Sequence, residues 1–93
     1  MTFDWDEGNL SHIERHGVTA AEVEEALAGL VVWGQPYVRN GEECASAWGC
    51  TQARRILAIT VTMRGAKLRT ITAHTAKARE RKRYAEYEKS QSG

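Results

Sequence analysis

"RRILAITVTMRGAKLRTITAH", Arg54 to His74, is the stretch that decides the fold. Leu57, Ile59, Val61 and Met63 alternate with Ala58, Thr60 and Thr62, which is the period of two of a strand with one apolar face. "RGA" turns the chain, and "KLRTITAH" supplies the next strand. Upstream, "ECASAWGCT" reads as another strand, and "RNGE" is a hairpin turn because Asn40-Gly41 suits a tight connection. "LVVWGQPYV" contains Pro36, a breaker, and is expected to be an edge or irregular strand.

The flanks are helical. In "VTAAEVEEALAG", Thr19 and Glu22 have the spacing of a capping box, and Val18 and Val23 that of a hydrophobic staple. Val23, Ala26, Leu27 and Leu30 make one apolar stripe, and Gly29 supplies a stop. "GNLSHIERHG" predicts a shorter helix with Leu10 and Ile13 inward, stopped at His16-Gly17, and "TFDW" before it reads as a short strand. From about Thr75 the chain is rich in Ala, Lys, Arg and Glu and reads as a last, basic helix. The order β-α-α-β-β-β-β-α gives an α+β class: an antiparallel sheet, two N-terminal helices on one face and a basic C-terminal helix. Residues 1–93 are expected to be a single domain.

Charge is unevenly spread. Residues 1–28 carry one base, Arg15, against seven acids, whereas residues 51–93 carry eleven bases against three acids, although the whole chain is only +1. Such asymmetry points to a polyanion partner for the basic half, or to a basic surface that pairs with the protein's own acidic helices. No apolar run reaches the roughly 20 residues of a membrane span, and the acidic start is unlike a signal peptide. Cys44 and Cys50 lack zinc-site spacing and read as reduced thiols in a cytoplasmic protein.

Three segments together carry a resemblance. "FDWDEGNLSHIERHGV" at residues 3–18, "GCTQARRILAITVTMRG" at 49–65 and "LRTITAHTAKARERKRY" at 68–84 resemble the BrnT family of bacterial toxins. The shared pattern is WD…HGV, a Val/Ile-rich strand ending near Thr-x-Arg, then Arg-x-Ile-[Ser/Thr]-Ala-Arg and a Glu-Arg-x-x-Tyr helix. His74 stands where that pattern has Arg, and the spacing from Trp5 to His16-Gly17 is slightly short. The resemblance implies a RelE-like fold, a metal-independent endoribonuclease that inhibits translation, no cofactor, and a cognate BrnA-like antitoxin forming a hetero-oligomer with the toxin.

Metal-free RNA cleavage requires a base for the 2′-OH proton, cations for the phosphorane and an acid for the 5′-oxygen. Arg54, Arg64 and Arg69 are candidate phosphate-gripping forks, with Arg54 and Arg64 expected on the face opposite Leu57, Ile59, Val61 and Met63. The side of Arg69 is left open by "KLRTITAH". His74 is the candidate for proton transfer, since imidazoles titrate near neutrality. Tyr84 is a candidate to stack a base or bind a phosphate. Lys67, Lys77, Arg81, Lys82 and Arg83 are candidate RNA-backbone contacts.

Each residue also has a structural reading. The arginines could pair with the acidic helices, His74 could be a surface strand end, Tyr84 could pack the helix, and Glu80 could pair with Lys77 or Arg83. The three tryptophans read as core or subunit contacts. "HIERH" places His12 and His16 one helical turn apart, but the residue after His12 is Ile13, not the Glu of a zinc-protease motif, so no metal site is expected. The rival to the enzyme is a non-catalytic RNA-binding or degenerate toxin-like interaction module.

Overall fold

A computed structural model describes residues 1–92. The strand pair that anchors the sequence reading forms the centre of one mixed sheet. β5 (Ile56–Arg64) lies between β6 (Lys67–Thr75) and β4 (Glu42–Cys50), antiparallel to both. β1 (Thr2–Phe3) adds to the outer edge of β6, and β2 (Val31–Trp33) and β3 (Tyr37–Arg39) both pair with β4. The expectation of a purely antiparallel sheet is corrected at β1, which runs parallel to β6 through Thr2–Lys67 and Phe3–Leu68. The expected irregular strand is two short ones, because Gly34-Gln35-Pro36 interrupts pairing.

Local signals account for most of these elements. The β3–β4 connection has positive φ at both Asn40 (51°) and Gly41 (79°), the signature of a type I′ turn. Gly65, at φ 62°, opens the two-residue turn between β5 and β6. α1 (Glu7–Glu14) is capped by Asp6, whose side chain accepts from the Asn9 N–H while Asn9 reaches back to the Asp6 N–H. α2 (Ala20–Ala28) has the expected reciprocal cap between Thr19 and Glu22. α3 spans Ala78–Ser92, starting a few residues later than expected because β6 continues to Thr75.

The core forms on one face of the sheet. Leu57, Ile59 and Val61 meet Ile13 of α1 and Val23, Ala26 and Leu27 of α2, with Val18 of the α1–α2 link among them. Met63 continues the alternation but is 59% exposed, since β5 runs past the helices there. α2 lies so close to β4 that a Cβ on Gly49 would overlap the backbone carbonyl of Ala26. Backbone cannot yield as a flexible side chain can. Gly49→Ala is therefore expected to cost about 1–3 kcal/mol through overpacking, read as a lower denaturant midpoint with an unchanged slope.

Candidate functional site: the open face of the sheet

The face opposite the core is built from cross-strand rows. In an antiparallel pair, directly opposed residues point to the same side. Cys44, Thr62 and Arg69 form one row, Ser46, Thr60 and Thr72 the next, and Trp48, Ala58 and His74 a third. Arg64 and Lys67 oppose one another at the hairpin end.

Arg69 and His74 share this face only because of a bulge. Thr60 opposes Thr72 and Val61 opposes Thr70, which leaves Ile71 as an extra residue in β6. Five positions apart, Arg69 and His74 would otherwise lie on opposite faces. The bulge reverses the alternation between them, so Leu68, Thr70 and Ala73 are buried while Arg69, Thr72 and His74 look the other way.

Arg69 is held in place from α1. Its Nη1 lies 2.8 Å from Asp6 Oδ2 and 3.6 Å from Asp4 Oδ2. That nitrogen is buried without a well-aligned hydrogen-bond acceptor, so the contacts are charge–charge in character. The guanidinium holds the Asp6 carboxyl below the usual carboxylate range, helped by the Asn9 N–H, and Asp6 in turn raises the Arg69 pKa. Arg64, more than half exposed, sits 3.5 Å from Glu42 across the hairpin. Both arginines line a cavity of about 370 Å³ that reaches from the β3–β4 turn to His12 on α1.

His12 went unassigned in the sequence, where it stood only in a rejected metal pattern. Its neighbour Ile13 is fully buried in the core, whereas His12 Nε2 lies 3.2 Å from Thr72 Oγ1, in the middle row of the opposite face. α1 thus straddles the edge of the sheet. His16 lies beside both other histidines, its ring 5.4 Å from that of His12 and 6.3 Å from that of His74. Among the described residues, no three His, Cys, Asp or Glu side chains are grouped to hold a metal ion. His74 Nδ1 lies 3.0 Å from the Thr75 carbonyl. A carbonyl can only accept, so Nδ1 carries the proton there and a neutral ring keeps its lone pair on Nε2.

The remaining candidates lie elsewhere. Arg54 precedes β5, in a turn with φ 68°, so strand alternation does not place it beside Arg64. Its guanidinium grips Glu88 of α3 through two bonds of 3.0 and 2.8 Å, which raises the Arg54 pKa and lowers that of Glu88. Tyr84 is 3% exposed and its hydroxyl donates to the Leu30 carbonyl at 2.8 Å; burial raises its pKa. Glu80 accepts from the Trp48 indole and from the Lys77 backbone N–H, both at 2.8 Å, rather than pairing with a lysine or arginine side chain. Burial alone would push the Glu80 carboxyl up, but these donors bring it below the usual range. Arg81 donates to the Ala76 carbonyl. Glu80 therefore docks α3 on β4, Tyr84 fixes it to the α2–β2 link, and Arg81 ties it back to the β6–α3 link.

The charge asymmetry resolves in the same way. Arg54, Arg55, Arg64 and Arg69 are each ion-paired, Arg55 with Glu22 at 3.0 Å. Among the described residues, no ion pair takes up Lys67, Lys77, Arg79, Arg81, Lys82 or Arg83. Five of these six belong to α3 or its approach and are exposed. Both cysteines are free thiols, and Cys44 is buried. Of the tryptophans, Trp33 is half exposed, and Trp5 donates to Glu24 at 2.8 Å.

A family profile described as "ribonuclease toxin, BrnT, of type II toxin-antitoxin system" matches residues 5–80. The chain belongs to the BrnT family. No curated protein matches its sequence. The BrnT match begins at the Trp5-Asp6 pair and ends at Glu80, so it contains the capping and Arg69-holding Asp6, the bulged strand and the start of α3. Membership brings with it a type II toxin–antitoxin context, with an antitoxin partner and an RNA substrate. No helix among the described residues is long and apolar enough to cross a membrane.

Two outcomes follow for the BrnT chain. Asp6 has a depressed folded pKa, so its stabilisation is present above the ordinary aspartate value of about 3.9 and is lost as pH falls through the folded value. The gap in thermal midpoint between wild type and Asp6→Asn is expected to be widest above pH ~4 and to narrow in stronger acid. Tyr84→Phe removes a single buried hydrogen bond and is expected to cost about 1 kcal/mol, measured by chemical denaturation.

Proposed function

We propose that this BrnT chain is a metal-independent endoribonuclease whose active surface is the open face of the sheet, with residues 1–93 acting as one toxin domain. The observation that carries the reading is the bulge-enforced row arrangement, which puts Arg69 and His74 on one face, opposite the core, with Thr72 between them. His74 is the base, presenting Nε2 to the 2′-OH. Arg69 and Arg64 are the cations for the phosphorane, and the ion-paired Asp4 and Asp6 orient Arg69. Lys67 and the exposed Lys77, Lys82 and Arg83 extend the phosphate-binding track. Arg54, Tyr84 and Arg81 support this surface by fixing α3.

Cleavage of messenger RNA in the cytoplasm, and the arrest of translation that follows, complete the proposal, on a sheet-and-helix framework of the RelE-like kind. The unpaired cations of α3 suit an acidic segment of a BrnA-like antitoxin, which would mask the RNA track in a hetero-oligomer. Since such a partner binds only the folded toxin, it also raises the unfolding midpoint.

The test is cleavage of a labelled messenger transcript by the purified chain in EDTA, with and without ribosomes. Undiminished cleavage in EDTA is expected, and loss of activity restored by a divalent ion counts against metal independence. Arg64→Ala, at a largely exposed position, is expected to lower the rate about a hundredfold while leaving the unfolding midpoint nearly unchanged. Arg69→Ala also frees Asp4 and Asp6, so its rate is compared at matched folded fraction. RNA affinity is expected to fall with salt at a log–log slope of about −0.7 per phosphate neutralised. Replacing Lys77 and Lys82 by Ala flattens that slope without altering the preferred sequence. A binding module of the same shape would keep the slope and cut nothing.

A further inference from the structure

We infer that His12 is the general acid of this reaction, the partner that protonates the leaving 5′-oxygen while His74 takes the 2′-OH proton; the inference rests on the ribonuclease reading above. The family match assigns no residue to that role, and the sequence points to none.

The geometry carries it in three steps. First, His12 reaches over the edge of the sheet to Thr72 Oγ1 at 3.2 Å, so its ring stands above the middle row of the open face. Second, His74 lies two residues further along β6 on the same face, a separation of about 7 Å along the strand. A phosphate over Thr72 would thus meet one imidazole at its end and another at its side, with Arg69 approaching from the opposite row. Third, the two rings have different hydrogen-bond roles. The Thr75 carbonyl fixes the His74 proton on Nδ1, which suits a base at Nε2. His12 Nε2 faces a hydroxyl, which both donates and accepts, so the ring can carry a proton there and release it.

The step balances without a co-reactant. The 2′-oxygen bonds to phosphorus as its proton passes to His74 Nε2, the bond from phosphorus to the 5′-oxygen breaks, and that oxygen takes the proton of His12. The products are a 2′,3′-cyclic phosphate and a 5′-hydroxyl. The titratable and charged groups around His12 are His16, in the turn just after its helix, whose ring neighbours those of both His12 and His74, and Arg39, Glu42, Arg64 and Arg69, which line the same cavity.

The test uses the full chain and a synthetic RNA spanning a cleavage site mapped on a messenger transcript. One version has the natural 5′-oxygen at that site and the other a bridging 5′-sulfur. A thiolate leaves without needing a proton. His12→Asn is expected to cut the oxygen substrate about a hundredfold or more slowly, to lose one limb of the pH–rate profile, and to bind RNA within about twofold of wild type. On the sulfur substrate, its rate is expected to return close to that of wild type, whereas His74→Asn stays slow on both. A His12→Asn chain that cuts the oxygen substrate at the wild-type rate overturns the assignment while leaving the ribonuclease reading intact. A slow variant that sulfur does not rescue also overturns it, making His12 a positioning residue. If wild type cuts no RNA under any condition, the ribonuclease reading itself falls, and this assignment with it.

Discussion

β6 has one more residue than the stretch of β5 it pairs with, and the open face depends on that mismatch. Thr72 and Thr70 oppose consecutive residues of β5, so Ile71 is left over and the alternation reverses around it. The core needs Leu68 and Thr70 on one side of the bulge and Ala73 on the other, all buried. Satisfying the core in this way commits Arg69, Thr72 and His74 to the opposite face together. Burial on one side thereby dictates the polar arrangement on the other, and register is the link between stability and chemistry.

Around that face, charge is used in two distinct ways. The arginines of the sheet region are spent on fixed geometry: Arg55 donates to the Gly17 carbonyl at 2.8 Å and pairs with Glu22, Arg54 ties Glu88, and Arg69 meets Asp4 and Asp6. Asp6 joins the two levels, since the carboxylate that starts α1 also holds Arg69. The exposed bases of α3 remain without ion pairs among the described residues. Exposed pairs add little stability, so the fold loses little by leaving these bases free for a polyanion.

α3 itself is attached by a few polar contacts. Glu80 reaches the Trp48 indole, Tyr84 the Leu30 carbonyl and Arg54 the Glu88 carboxylate. Tyr84 is the one buried residue of the helix, so its docking relies on the directionality of hydrogen bonds more than on apolar area. Glu80, Arg81 and Tyr84 are, in this chain, a docking device at the border of the open face.

The sequence by itself determined what neighbouring residues decide between them. Thr19 with Glu22 starts α2, Asn40-Gly41 turns the β3–β4 hairpin, and the alternation through Leu57, Ile59 and Val61 makes the central strand. The match to the BrnT family, over residues 5–80, rests on the linear sequence in the same way. Tertiary structure decided the rest, because those features join residues far apart in the chain. The bulge is defined only by pairing with β5, so the side taken by Arg69 was open until the register was known. Arg54 looked like a strand residue until the turn before β5 placed it against Glu88, 34 positions on. His12 and Thr72 are 60 residues apart, and no periodicity within a single helix or strand reports such a contact. Helix and strand periods encode which residues share a face of their own element; only the packing of elements decides what that face meets.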